Sequence, residues 1–162
     1  MVIVVMGVAG SGKTTVVVAL AARLGWSFRD ADDFHPPENV AKMSAGIPLT
    51  DEDRAPWLGA IRAHIDGCLA RGEGAVVTCS ALRAAYRLII VVDPARVKLV
   101  HLTGDPDLLL ARIAGRQFHF MKPAMLRSQL ALLEPPSDAL VVDITPEPAV
   151  IVAEICVAFG LG

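Results

Sequence analysis

The chain is poor in cysteine, in clustered positive charge and in long apolar runs, and each shortage removes a class of protein. Its three cysteines, Cys68, Cys79 and Cys156, are odd in number and widely spaced, and each sits in an apolar segment. They read as buried free thiols of a reducing compartment, which argues against a disulfide framework or a cysteine metal site. Lys and Arg total 15 against 17 Asp and Glu, a net charge of −2 without a basic cluster. No nucleic-acid or anionic-membrane partner is expected from that balance. The first apolar run, Val2-Ile3-Val4-Val5-Met6, ends at Gly7 with no charged segment before it. It is too short for a secretory leader or a membrane span, so a cytoplasmic location is expected. Internal repeats, low-complexity stretches and linkers are also missing, and the 162 residues suit one domain, 1–162.

What the chain has in quantity is apolar residues: 54% are hydrophobic and the mean hydropathy is +0.52. That supplies a sizeable core and leaves apolar surface for a partner subunit to cover. Short apolar segments bounded by turn residues predict strands at about 2–6, 26–29, 75–79, 97–102 and 139–143. Helical patterns fall between and after them, at about 13–24, 36–44, 53–71, 82–92, 106–114, 124–133 and 147–159. This alternation predicts an α/β fold, a parallel sheet with helices on both faces. Ligands of such sheets gather at the carboxyl ends of the strands.

The first of those ends carries Gly7-Val8-Ala9-Gly10-Ser11-Gly12-Lys13-Thr14, followed by Thr15. The G-x-x-x-x-G-K-[ST] spacing between a strand and a helix is that of a phosphate-binding loop. Glycines let the backbone N–H groups approach a nucleotide's phosphates closely. Lys13 reaches the β- and γ-phosphates, and the Thr14 hydroxyl is a hard oxygen ligand suited to Mg²⁺. The second strand leads into Asp30-Ala31-Asp32-Asp33-Phe34-His35-Pro36. Period-two alternation there sends Asp30 and Asp32 the same way, one carboxylate suited to Mg²⁺ and another to an acceptor hydroxyl. Ile89-Ile90-Val91-Val92-Asp93 and Leu140-Val141-Val142-Asp143 imitate a Walker B strand, but Pro94 follows the first and the second suits the last strand of the sheet. Arg54, Arg83 and Arg87 are candidates to hold a carboxylate or phosphate bidentately, Arg54 having the alternative of pairing with Asp51 or Asp53. Residues 115–123, with Arg116, His119 and Lys122, read as a lid. Together these features favour phosphoryl transfer to a small alcohol.

Over nearly its whole length the chain resembles the gluconokinases, a family of P-loop small-molecule kinases. The resemblance rests on the phosphate loop, on Asp30-Ala31-Asp32-Asp33-Phe34-His35-Pro36-Pro37-Glu38-Asn39, and on the block running from Lys42 through Thr50-Asp51-Glu52-Asp53-Arg54-Ala55-Pro56-Trp57-Leu58. Cys79-Ser80-Ala81-Leu82, Tyr86-Arg87, His119-Phe120-Met121, Ser128-Gln129 and Leu133-Glu134-Pro135-Pro136 complete it.

The resemblance implies a three-layer α/β/α fold like that of nucleoside monophosphate kinases, with strand order 2-3-1-4-5, a lid and a homodimer. It implies transfer of the γ-phosphoryl of ATP to the 6-hydroxyl of D-gluconate, with ATP and Mg²⁺ as cofactors. By the same resemblance Gly7 to Thr15 and Arg112 serve ATP, Arg112 beside the adenine; Thr14 and Asp30 serve the metal; and Lys13, Asp32 and Arg116 carry the chemistry. Asp32, His35, Arg54, Arg83, Tyr86, His119 and Gln129 would line the acceptor. Two other readings are another hydroxy acid as acceptor, such as shikimate or a different aldonate, and a nucleotide-binding regulatory protein without catalysis. The absence of an Asn-Lys-x-Asp motif argues against a GTPase switch.

The chain departs from the family pattern at three positions. Arg83 stands where Lys is usual, keeping the charge but changing its geometry. Leu88 stands where Asp is usual, ahead of the apolar Ile89-Ile90-Val91-Val92, which suggests a buried or intersubunit surface. Phe118 replaces a lid glycine and is expected to restrict closure.

Overall fold

The structure, a computed structural model, describes residues 1–115 and 123–162. Arg116, Phe118 and His119, the central residues of the expected lid, lie outside the described residues.

Five strands form one sheet: β1 (Val2–Met6), β2 (Ser27–Asp30), β3 (Ala75–Thr78), β4 (Val97–Thr103) and β5 (Leu140–Asp143). All neighbouring pairs are parallel and the order is β2-β3-β1-β4-β5, as the resemblance implied. The connecting helices are α1 (Lys13–Leu24), α2 (Pro37–Ser44), α3 (Asp51–Ala70), α4 (Ala84–Ile90), α5 (Pro106–Ala114) and α6 (Pro123–Leu132), and α7 (Pro148–Ala158) ends the fold.

The central strand explains the three layers. Every residue of β1 is fully buried, and the pleat divides them between two cores. Ile3 and Val5 pack with Val17 and Leu20 of α1, Ile151 and Ile155 of α7, and Leu126 of α6. Val2, Val4 and Met6 pack on the opposite face with Leu58, Ile61 and Ile65 of α3 and Ile90 of α4. A strand buried on both faces has no polar side to alternate with, so it reads as a continuous apolar run.

Three departures from expectation each have a local reason. Helix α3 begins at Asp51 instead of 53 because Thr50 caps it: Thr50 Oγ1 accepts from the Asp53 N–H at 3.1 Å and Asp53 Oδ2 accepts from the Thr50 N–H at 2.9 Å. The acidic triplet Asp51-Glu52-Asp53 thus belongs to the first turn, where the exposed amides favour negative charge. Lys42 Nζ also donates to both Asp53 oxygens, at 2.9 and 2.8 Å. With the Thr50 bonds, it pulls the Asp53 carboxyl down to about 2.

Helix α4 begins only at Ala84 and ends at Ile90, shorter than the 82–92 expected. Ala81 has φ +44°, and the Leu82 carbonyl is taken by the Glu134 N–H at 2.8 Å, so the chain leaves β3 through a turn before it can coil. Finally, residues 31–34 are a single 3₁₀ turn, which the strand reading had missed.

Candidate active site

The phosphate loop connects β1 to α1 at the carboxyl edge of the sheet. Gly7 has φ +155°, and a Cβ there would sit 2.8 Å from Ser11 Oγ and 2.9 Å from the Leu102 carbonyl oxygen. At Gly10, φ is +79° and a Cβ would meet the Leu109 carbonyl oxygen at 2.9 Å. Both positions therefore exclude a side chain, on conformation and on space. Lys13 Nζ lies back along the loop and donates to the Gly7 and Val8 carbonyls at 2.8 and 3.1 Å. The Ala9 N–H donates to Gln129 Oε1 at 2.7 Å. Arg112 reaches the loop from α5: its Nη1 lies 3.7 Å from where a Gly12 Cβ would be, and its Nη2 donates to the Ile144 carbonyl at 2.9 Å.

Beside the loop opens a cleft of about 220 Å³ whose walls include Lys13, Thr14, Asp30, Asp32, Thr78 and Ser80. Asp30 and Asp32 do share this cleft, but strand alternation is not the cause, since β2 ends at Asp30. Asp30 Oδ1 instead caps the 3₁₀ turn by accepting from the Asp32 N–H at 2.9 Å, which brings the two carboxylates to one wall. The Asp32 side chain is 84% exposed to the cleft. Its pKa is nevertheless raised, chiefly by desolvation against the surrounding walls and next by the negative charge of Asp30, with Lys13 pulling the other way.

The turn is anchored from behind. The Trp57 indole N–H donates to the Ala31 carbonyl at 2.7 Å, and the His35 ring stacks on Trp57 with centroids 4.4 Å apart. Buried Asn39 sits 3.2 Å from His35 Nδ1 and donates to the Asp53 carbonyl at 2.9 Å. The His35 side chain is 4% exposed, with Nε2 3.9 Å from Asp32 Oδ1. Burial, then the Arg54 charge, lowers its pKa and keeps the imidazole neutral. His35 thus stands behind Asp32 with its ring almost fully buried. Asn39 and Trp57 were visible as motif residues, but nothing in their spacing announced this bracing.

The second polar cluster gathers residues far apart in sequence. Tyr86 Oη donates to Asp51 Oδ1 at 2.8 Å and accepts from Arg54 Nη1 at 3.2 Å. Arg54 and Arg83 lie 3.7 and 3.6 Å from the Asp51 carboxylate, each with its guanidinium near the Tyr86 ring. Arg54 pairs with Asp51, one of the two partners considered for it. Arg87, a candidate anion binder, is committed elsewhere: it is buried and donates to the Ala81 and Glu134 carbonyls at 2.8 and 2.7 Å. Those bonds tie the loop after β3 to the end of α6 and spend the guanidinium on backbone oxygens. Gln129 lies against the phosphate loop instead of in this arginine cluster.

Neither Walker B aspartate lines the cleft. Asp93 pairs with Arg96 at 2.6 Å ahead of β4, and Asp143 accepts from the Thr145 N–H and hydroxyl at 2.8 and 2.7 Å. Cys79 lines the cleft, but burial pushes its thiol up to about 12, so it is no nucleophile at neutral pH. Hard oxygens remain: the Thr14 hydroxyl and the Asp30 and Asp32 carboxylates on one cleft, with mutual repulsion felt at Asp32. That donor set fits Mg²⁺, which takes one or two carboxylates and keeps its other positions for water and phosphate oxygen.

Known proteins resemble the chain along most of its length. The family model described as an AAA domain matches residues 2–136. A gluconokinase of Gluconobacter oxydans (strain 621H) is 49% identical over 136 residues, covering 84% of this chain and 76% of that one. Among solved structures, an unliganded sugar kinase from Janibacter sp. HTCC2649 aligns with a TM-score of 0.89 at 40% identity, covering 99% of this chain and 95% of that one. A gluconokinase from Sinorhizobium meliloti 1021 aligns at 0.82 with 43% identity, covering 98% and 90%. With the phosphate loop, the acidic turn and the sheet order already in place, these likenesses make the chain a member of the gluconokinase family of P-loop kinases.

Proposed function

We propose that the protein transfers the γ-phosphoryl group of ATP to the 6-hydroxyl of D-gluconate, giving 6-phospho-D-gluconate and ADP. The observation that carries this reading is one cleft with a phosphate loop on one wall and the Asp30–Asp32 turn on another. Lys13 turns from its loop carbonyls to the β- and γ-phosphate oxygens, and the N–H groups of the loop hold the remaining charge. Thr14 and Asp30 would hold Mg²⁺, which would supply charge neutralisation on the phosphates when bound. Asp32 orients the acceptor hydroxyl and takes its proton as the new O–P bond forms and the bond from phosphorus to the ADP oxygen breaks. Arg112 lies by the adenine. Arg54 and Arg83, aligned by Tyr86 and Asp51, bind the carboxylate of the sugar acid. Arg116 and His119 are proposed to act at the transferred phosphoryl group and the acceptor.

A coupled assay of ADP release with gluconate, shikimate and other aldonates tests this. Acceptor-dependent release is expected, fastest with gluconate. Faster release with another acid would move the substrate assignment, and release with none would leave a binding protein.

The protein is further proposed to be a homodimer. Leu88, Ile89 and Val92 at the end of α4 are 74%, 40% and 47% exposed, a contiguous apolar stretch that a second copy would cover. Sedimentation equilibrium should give about twice the 17.1 kDa chain mass, and Leu88→Asp should shift the protein toward monomer. A wild-type monomer throughout would refute it. Among the described residues, no helix is long and apolar enough to cross a membrane.

A further inference from the structure

A phosphate loop works by presenting N–H groups to anionic oxygen, and in this chain one of them is already engaged. Ala9 lines the cleft, and its N–H donates to Gln129 Oε1 at 2.7 Å, across 120 residues of sequence. Because a backbone N–H can only donate, the amide oxygen of Gln129, not its NH₂, must face the loop. Lys13, by comparison, meets carbonyls of its own loop, contacts that any such loop can make.

The Gln129 contact is delivered by a held element. Helix α6 is fastened to the core by Leu126, which is fully buried. Beyond its end, Glu134 is bound three ways: its N–H donates to the Leu82 carbonyl, its own carbonyl accepts from Arg87, and its carboxylate accepts from the Ala84 N–H. A side chain carried on such an arm reaches the same spot each time, and what it offers there is an oxygen acceptor, the group a phosphate would bring.

We propose that Gln129 is a displaceable cap on the phosphate loop: it accepts from the Ala9 N–H and competes with a phosphate oxygen of the nucleotide for that bond. The inference rests on the reading of this cleft as the nucleotide site. Gln129 is then a positioning residue, keeping a buried loop amide satisfied between turnovers and lowering nucleotide affinity by the strength of the bond it must give up.

Calorimetric binding of ADP and chemical-shift titration with adenosine, on full-length wild type, Q129L and Q129E, test the cap. Without the competing oxygen, Q129L should bind ADP about two- to tenfold more tightly, the range of one ordinary hydrogen bond. Q129E offers a charged, stronger acceptor that also repels phosphate, and should bind ADP about tenfold or more weakly. Adenosine has no phosphate and should bind all three proteins alike, a pattern that a merely structural role would not produce. ADP affinities equal to wild type in both variants would overturn the cap, as would weaker ADP binding by Q129L or parallel changes for adenosine. If Q129L does not fold, Q129A carries the same expectation. Absence of ADP binding by the wild type would instead remove the nucleotide reading itself, and the cap with it.

Discussion

Lys13→Ala is expected to lower kcat/KM for ATP by about 10³-fold or more while leaving a folded protein. The charge that develops on the β–γ bridge and on the transferred group has to be met by a cation placed in advance, and Lys13 is the cation of the loop. The bonds its ammonium makes to the Gly7 and Val8 carbonyls stay within its own loop and tie no distant element to another. Loss of activity should therefore come without a matching loss of thermal stability. The same substitution should also move Asp32, because the Lys13 charge opposes the forces raising the Asp32 pKa. Whatever activity remains in Lys13→Ala should accordingly fall off at higher pH than in the wild type. Steady-state kinetics across pH, with a melting curve for each variant, read both effects; near-wild-type turnover would sink the assignment of the loop.

Asp32→Asn is expected to reduce kcat by about 10²- to 10⁴-fold, the usual contribution of a positioned general base, with ADP binding retained. The pH dependence supplies the sharper test. Desolvation and the Asp30 charge favour the protonated form of Asp32, so its pKa in the folded chain lies above 3.8, the ordinary value. Only the carboxylate accepts a proton. Activity should hold above the raised pKa and fall as pH drops through it, at less acid pH than an unperturbed aspartate would allow. In Asp32→Asn that acid limb should vanish from the residual rate. Stability runs the opposite way: a carboxylate whose pKa rises on folding disfavours the folded state wherever it is charged, above its unfolded pKa. Asp32→Asn should melt no lower than wild type near neutrality. Lost ADP binding in a folded Asp32→Asn protein would point to a metal role instead.

Both expectations concern groups that the sequence singles out before the structure, for different reasons. The phosphate loop is contiguous, and its glycines and lysine act through the backbone geometry of their own short segment. The acidic turn was legible as a cluster but misread as an extended strand. The Asp30 side chain bonding to the Asp32 N–H diverts the chain into a 3₁₀ turn, a competition between side chain and sheet that alternation does not register. Helix α3 was placed two residues late because its start is decided by the reciprocal Thr50–Asp53 bonds and not by its first apolar residue. Arg87 looked like a ligand for an anion and proved to be a clamp on backbone carbonyls, since a guanidinium serves either acceptor and composition does not say which is near.

The amino-acid order alone carries the phosphate loop, the two-faced burial of β1 and the alternation of strand and helix, because each depends on neighbours within a few residues or on a repeating apolar pattern. The family likeness added the sheet order. Only the tertiary structure could bring Gln129 to Ala9, Tyr86 to Asp51 and Arg54, and Glu134 to the loop after β3. These contacts join segments up to 120 residues apart, and such pairings are set by how the elements pack around the shared sheet, which no local run of residues encodes.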